Sequence, residues 1–126
     1  MTHVLVIDDS KPNIDVLGML LNNEGATYSE VLHPANVENA VNEEGPFDVV
    51  FLDLEFPTNN GFTIIEKLRH MEVLKGVPIV AYSVHTSEFE MARRAGFDGF
   101  LGKPLDADQF PDQLQRILSG EQLWSV

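Results

Sequence analysis

The chain has 126 residues, 44% of them hydrophobic and 22% charged, a size and composition that suit one globular domain burying roughly two-thirds of its unfolded surface. Eight Lys and Arg against twenty Asp and Glu leave a net charge of −12. That balance argues against a nucleic-acid partner, and no apolar run approaches the roughly 18 residues of a membrane span.

With no cysteine in the chain, disulfides, thiolate metal sites and thiol chemistry are excluded. No basic leader precedes a long apolar stretch, so the expected location is the cytoplasm.

In chain order, Val4 to Ile7 reads as a first strand. A helix follows, with Ile14, Leu17, Leu20 and Leu21 on one face behind Ser10 and Pro12 and a stop at Gly25. Thr27 to Leu32 is the second strand, and Pro34 to about Glu44 the second helix, with Val37, Ala40 and Val41 on one face and Gly45-Pro46 at its end. Val49 to Leu52 is the third strand, and the helix after Gly61 carries Phe62, Ile65 and Leu68. Val77 to Tyr82 is the fourth. Ser87, three residues before Glu90, has capping-box spacing for a fourth helix that presents Phe89 and Ala92 and stops at Gly96. Gly99 to Leu101 is the fifth strand, and Phe110, Leu114, Ile117 and Leu118 form the stripe of a fifth helix capped by Asp106 or Asp108, with Pro111 in its first turn.

Several of these strands are continuously apolar, as expected when helices cover both faces of a parallel sheet. Five strand–helix alternations with short connections predict a doubly wound α/β fold, a five-stranded parallel sheet with five flanking helices. Gly120 to Val126 is expected to be a short tail, with Trp124 packed on the surface.

Charge is unevenly spread: residues 1 to 63 hold eleven acids and one base, Lys11. Ligands of open parallel sheets sit beyond the carboxyl ends of the strands, and there the sequence places Asp8 and Asp9, Asp53, Ser83, and Lys103 followed by Pro104. Each alone could be a helix cap or a solvated loop residue. Together, three carboxylates on one edge repel one another unless a cation intervenes, and hard oxygen ligands suit Mg²⁺. Such a cation with a lysine and a hydroxyl would clamp a phosphoryl group, and an aspartate could serve as its nucleophile. His3, His33 and His70 show no ligand-like spacing.

Four segments in order, VLVIDDS (Val4–Ser10), VVFLDLEFPTNNG (Val49–Gly61), AYSVH around Ser83 and FLGKP (Phe100–Pro104), resemble the receiver domain of two-component response regulators over essentially the whole chain. The resemblance implies a flavodoxin-like fold with strand order 2-1-3-4-5, a receiver over residues 1–119 and a tail over 120–126. It implies that Asp53 is the phosphoacceptor, and that Asp8, Asp9, Asp53 and the backbone carbonyl of Glu55 bind Mg²⁺ or Mn²⁺. Lys103 would pair with phosphoryl oxygens, aimed by a cis bond to Pro104. Ser83 would hydrogen-bond the phosphoryl group, and Ser83 with Phe100 would form a switch acting on the surface of helix four, strand five and helix five.

The implied donors are a histidine kinase, a histidine phosphotransfer protein or a small phosphodonor, with an unidentified downstream protein target. A stand-alone monomer or weak dimer is expected, with self-catalysed phosphotransfer and no enzymatic turnover of a separate substrate. Glu55, which puts a carboxylate near the acceptor, and Val84, which is bulky, depart from common receiver patterns, and with His85, two residues after Ser83, they are expected to tune rates. Asn60 and Phe100 stand where Asp and Tyr are commoner.

Two rivals are a pseudo-receiver that binds partners without phosphorylation and a haloacid dehalogenase-type phosphatase, which Asp53-Leu54-Glu55 imitates. The latter is disfavoured because Glu55 replaces its second aspartate, Pro57 takes its Thr or Val position, and Asp8 and Asp9 precede the nucleophile.

Overall fold

The computed structural model describes residues 2–54 and 61–125. Six parallel strands, β1 (His3–Ile7), β2 (Thr27–Val31), β3 (Val49–Asp53), β4 (Ile79–Ser83), β5 (Gly99–Gly102) and β6 (Leu123–Ser125), form one sheet in the order β2-β1-β3-β4-β5-β6. Five α-helices fill the connections: α1 (Lys11–Asn23), α2 (Val37–Glu44), α3 (Gly61–Arg69), α4 (Phe89–Ala95) and α5 (Phe110–Leu118). The expected α/β class and the order of the first five strands are present. The sheet has six strands rather than five.

Strand alternation divides the core in two. Leu5, Ile7, Val50, Leu52, Ile79, Ala81 and Phe100 face one layer, where they pack with Val37, Ala40 and Val41 of α2, Ile64, Ile65 and Leu68 of α3, and Ala92 of α4. Val4, Val6, Val49, Phe51, Val80, Tyr82 and Leu101 face the other, against Ile14, Leu17 and Leu21 of α1 and Phe110, Leu114 and Ile117 of α5. Every residue of β3 and β4 is buried, which explains their unbroken apolar runs.

The sixth strand corrects the expectation of a tail. Leu123 enters the layer of α1 and α5, whereas Trp124 turns to the opposite face and packs edge-on to Phe89 of α4, with ring centroids 5.5 Å apart. The Arg93 guanidinium lies 5.1 Å from the Trp124 ring, a cation–π contact. Leu123, Trp124 and Ser125 pair with Gly99, Phe100 and Leu101. Three residues are too short a run to announce a strand, but their alternation straddles the sheet edge.

Two expected helix starts also change. A 3₁₀ turn over Thr86–Glu88 precedes α4, whose N-cap is Glu88 without a side-chain capping bond; Ser87 lies within that turn, so the Ser87–Glu90 capping box does not form. At α5 the N-cap is Gln109, again without a side-chain capping bond, with Pro111 in the first turn. Asp106 instead shapes the preceding turn, its carboxylate accepting from the Asp108 N–H at 2.8 Å and its carbonyl from those of Gln109 and Phe110. Ser10 does cap α1 by accepting from the Asn13 N–H. Gly96 ends α4 at φ +97°, a left-handed conformation that favours glycine.

Candidate functional site

The carboxyl ends of β1, β3, β4 and β5 meet at one edge of the sheet. Asp8 directly follows β1, and its N–H donates to the Val31 carbonyl at 3.0 Å, extending the ladder by one residue. Asp53 ends β3 and Ser83 ends β4. Lys103 follows β5, its N–H donating to the Ser83 carbonyl at 2.9 Å. Regular parallel pairing carries these residues to one edge.

Asp8 and Asp53 are buried while Asp9 is exposed, and the three offer carboxylate oxygens that all lie within 4.8 Å of one another. Lys103 reaches over both buried acids, its Nζ 3.1 Å from Asp53 Oδ1 and 3.4 Å from Asp8 Oδ2. Among the described residues, three negative charges against one positive leave an excess of two, in a place where burial strengthens repulsion. A divalent cation would balance that excess.

The donor set fits such an ion chemically: carboxylate oxygens suit Mg²⁺ or Mn²⁺. The three oxygens, all within 4.8 Å of one another, are near enough for one ion to draw them together. Glu55, whose carbonyl was expected among the ligands, and Asn60 lie outside the described residues.

Two groups absent from the sequence reading belong to this edge. The Tyr82 hydroxyl donates to Asp8 Oδ2 at 2.6 Å, while Asp8 Oδ1 accepts from the Ser10 N–H at 2.9 Å. Burial, followed by the charge on Asp8, pushes the Tyr82 phenol far above its ordinary value, so it stays protonated. The second is Glu88, whose Oε1 accepts from the Ser83 hydroxyl at 3.2 Å. Ser83 Oγ in turn accepts from the His85 N–H at 2.9 Å.

The geometry therefore gathers Asp8, Asp9, Asp53 and Lys103 into one cluster. Ser83 shares the edge, but in this structure its hydroxyl engages the start of the loop that leads to α4. Phe100 is fully buried beneath that loop's helix, edge-on to Phe89 with ring centroids 5.8 Å apart. Val84 is exposed, as is His85. The Lys103–Pro104 bond is cis, as is Gly45–Pro46. His3 has a structural setting, its ring stacked on Phe47 and bonded to Thr27 and Ser29.

Residues 4–115 match the model of the response regulator receiver domain. The chain belongs to that family. The receiver domain of Methylobacillus flagellatus, described as CheY-like, superposes with a TM-score of 0.82 at 25% identity, covering 93% of this chain and 98% of that one.

Among curated proteins, the chain is 28% identical over 120 residues to hybrid signal transduction histidine kinase L of Dictyostelium discoideum, covering 90% of this chain and 7% of the kinase. It is 32% identical over 112 residues to sensor histidine kinase GacS of Pseudomonas protegens, covering 85% of this chain and 12% of that protein. The receiver thus spans only a small part of the kinases it matches. No helix among the described residues is long and apolar enough to cross a membrane.

Proposed function

We propose that this receiver accepts a phosphoryl group on Asp53 in the presence of Mg²⁺ or Mn²⁺ and switches a protein-binding surface in response. The observation that carries the reading is the buried Asp8–Asp53 pair bridged by Lys103, with Asp9 alongside. Asp8, Asp9, Asp53 and the Glu55 carbonyl are the proposed cation ligands. The cation would neutralise charge on the phosphoryl oxygens during transfer.

In the transfer itself, the N–P bond of a phosphohistidine breaks and a P–O bond forms to a carboxylate oxygen of Asp53, the imidazole nitrogen leaving with the electron pair and taking up a proton. Lys103 pairs with the incoming oxygens. The donor is a histidine kinase or a histidine phosphotransfer protein, with a small phosphodonor as substitute.

Ser83 is the proposed sensor. Its hydroxyl leaves Glu88 to donate to the phosphoryl oxygen, drawing in the loop before α4 and repacking Phe100 against Phe89. This biases two arrangements of the α4, β5 and α5 surface toward one of them. Val84 and His85, exposed beside Ser83, and Glu55, two residues after the acceptor in sequence, are the residues proposed to tune phosphorylation and hydrolysis rates. The domain is read as a signalling module without turnover of a separate substrate.

The deciding measurement is intact mass after incubation with Mg²⁺ and acetyl phosphate, comparing the native chain with Asp53→Asn. One phosphoryl adduct per native chain and none on the variant are expected. An unmodified native chain that also fails to bind beryllofluoride would overturn the reading in favour of a phosphorylation-independent module.

A further inference from the structure

Tyr82 lies on the β4 face that packs against α1 and α5, where its ring meets Phe51 edge-on at 6.3 Å. A core aromatic in that place needs no hydroxyl, and burying one costs free energy unless it finds a partner. Here the partner is the carboxylate of Asp8, itself fully buried.

Each Asp8 oxygen thereby has a donor of its own, Ser10 N–H on Oδ1 and Tyr82 O–H on Oδ2. The carboxylate is oriented before any cation arrives: Oδ2 faces both the Tyr82 hydroxyl and, at 3.4 Å, Lys103 Nζ, while Oδ1 keeps a lone pair for coordination. The face of the same ring supports Lys103, whose Nζ lies 4.4 Å from the ring centroid. Lys103 sits nearer Asp53 than Asp8, 3.1 Å against 3.4 Å, with the Tyr82 hydroxyl on the same Asp8 oxygen.

We infer that Tyr82 is a positioning residue of the acceptor site, its hydroxyl setting the Asp8 carboxylate for the divalent cation and its ring setting Lys103 for the phosphoryl oxygens. This rests on the function proposed above. Donors to metal-ligating carboxylates restrict their orientation, and removing such a partner commonly weakens metal binding by about 10- to 100-fold. The hydroxyl and the ring act on different ligands, so their contributions separate.

The test compares the native chain with Tyr82→Phe, which removes only the hydroxyl, and Tyr82→Met, which fills the core without an aromatic face. Calorimetric titration gives Mg²⁺ affinity; beryllofluoride affinity is then measured at saturating Mg²⁺, and thermal midpoints are recorded without metal. Tyr82→Phe is expected to weaken Mg²⁺ binding about 10-fold and to leave beryllofluoride affinity within about twofold of native. Tyr82→Met is expected to weaken both.

A purely structural tyrosine would lower the midpoint without that split. Equal Mg²⁺ affinity in Tyr82→Phe and the native chain would overturn the role of the hydroxyl. Equal beryllofluoride affinity in the two variants would overturn the role of the ring. A native chain that binds no Mg²⁺ would instead remove the cation site on which the inference rests.

Discussion

The two ends of the sheet use the same residue in opposite ways. At the amino end, a Phe-Asp pair stands just before β3 (Phe47-Asp48) and again just before β5 (Phe97-Asp98). Asp48 donates its N–H to the His3 carbonyl and accepts the His3 N–H on its carboxylate, both at 2.8 Å. Asp98 does the same with Ile79, again at 2.8 Å each way, and also pairs with Arg69 at 2.7 Å. Each acid there closes a ring with the backbone of the neighbouring strand, so its charge meets donors that folding already supplies. At the carboxyl end, among the described residues, Asp8, Asp9 and Asp53 cluster around Lys103. Placement of the donors, rather than the acids themselves, makes one end a set of pins and the other an unbalanced site.

The largest expected effect separates the two ends at Asp98. Replacing it with alanine removes the acceptor for the Ile79 N–H and leaves that donor unsatisfied against a fully buried residue. A buried donor without a partner costs about 1–3 kcal/mol, and the exposed share of the Arg69 pair adds little. Urea denaturation of Asp98→Ala should therefore show a loss of about 2 kcal/mol, with Mg²⁺ affinity unchanged. Altered Mg²⁺ affinity would break the division between pinning and binding ends.

Much of this contrast was legible before the structure. Continuous apolar runs such as Val49 to Leu52 marked buried parallel strands, and the rule that ligands gather at carboxyl ends singled out Asp8, Asp53 and Lys103. Tyr82 was not legible, because its place in an apolar run marked it as a core residue and its hydroxyl partner lies 74 positions away. Glu88 was hidden by the capping-box spacing of Ser87 and Glu90, which fit a helix start that the 3₁₀ turn displaces.

The sixth strand was missed for a related reason: pairing along a sheet edge leaves little pattern in three residues. Gly99 records it from the other side. A Cβ on Gly99 would stand 2.6 Å from the Leu123 carbonyl oxygen, so any larger residue must push β6 from the edge. Gly99→Ala is expected to cost about 1–2 kcal/mol and to shift the emission of Trp124, the sole tryptophan. An unmoved emission maximum would show that β6 tolerates the change and that this end of β5 is less tightly built than the Asp98 ring beside it.

The smallest effect probes the carboxyl end through its exposed acid. Asp9 contributes charge to the cluster, and without a cation that charge opposes those of Asp8 and Asp53. Asp9→Asn should therefore raise the stability of the metal-free protein, by less than about 1 kcal/mol because solvent screens an exposed group. Added Mg²⁺ should reverse the order. Ligand binding stabilises the folded state by RT ln(1 + [L]/Kd), and the native chain, with the fuller ligand set, gains more from it. Thermal midpoints of both proteins across an Mg²⁺ titration should cross, and rising monovalent salt should shrink the metal-free difference. A variant less stable than the native chain in the absence of metal would place Asp9 with Asp48 and Asp98, among acids that hold the fold rather than wait for a ligand.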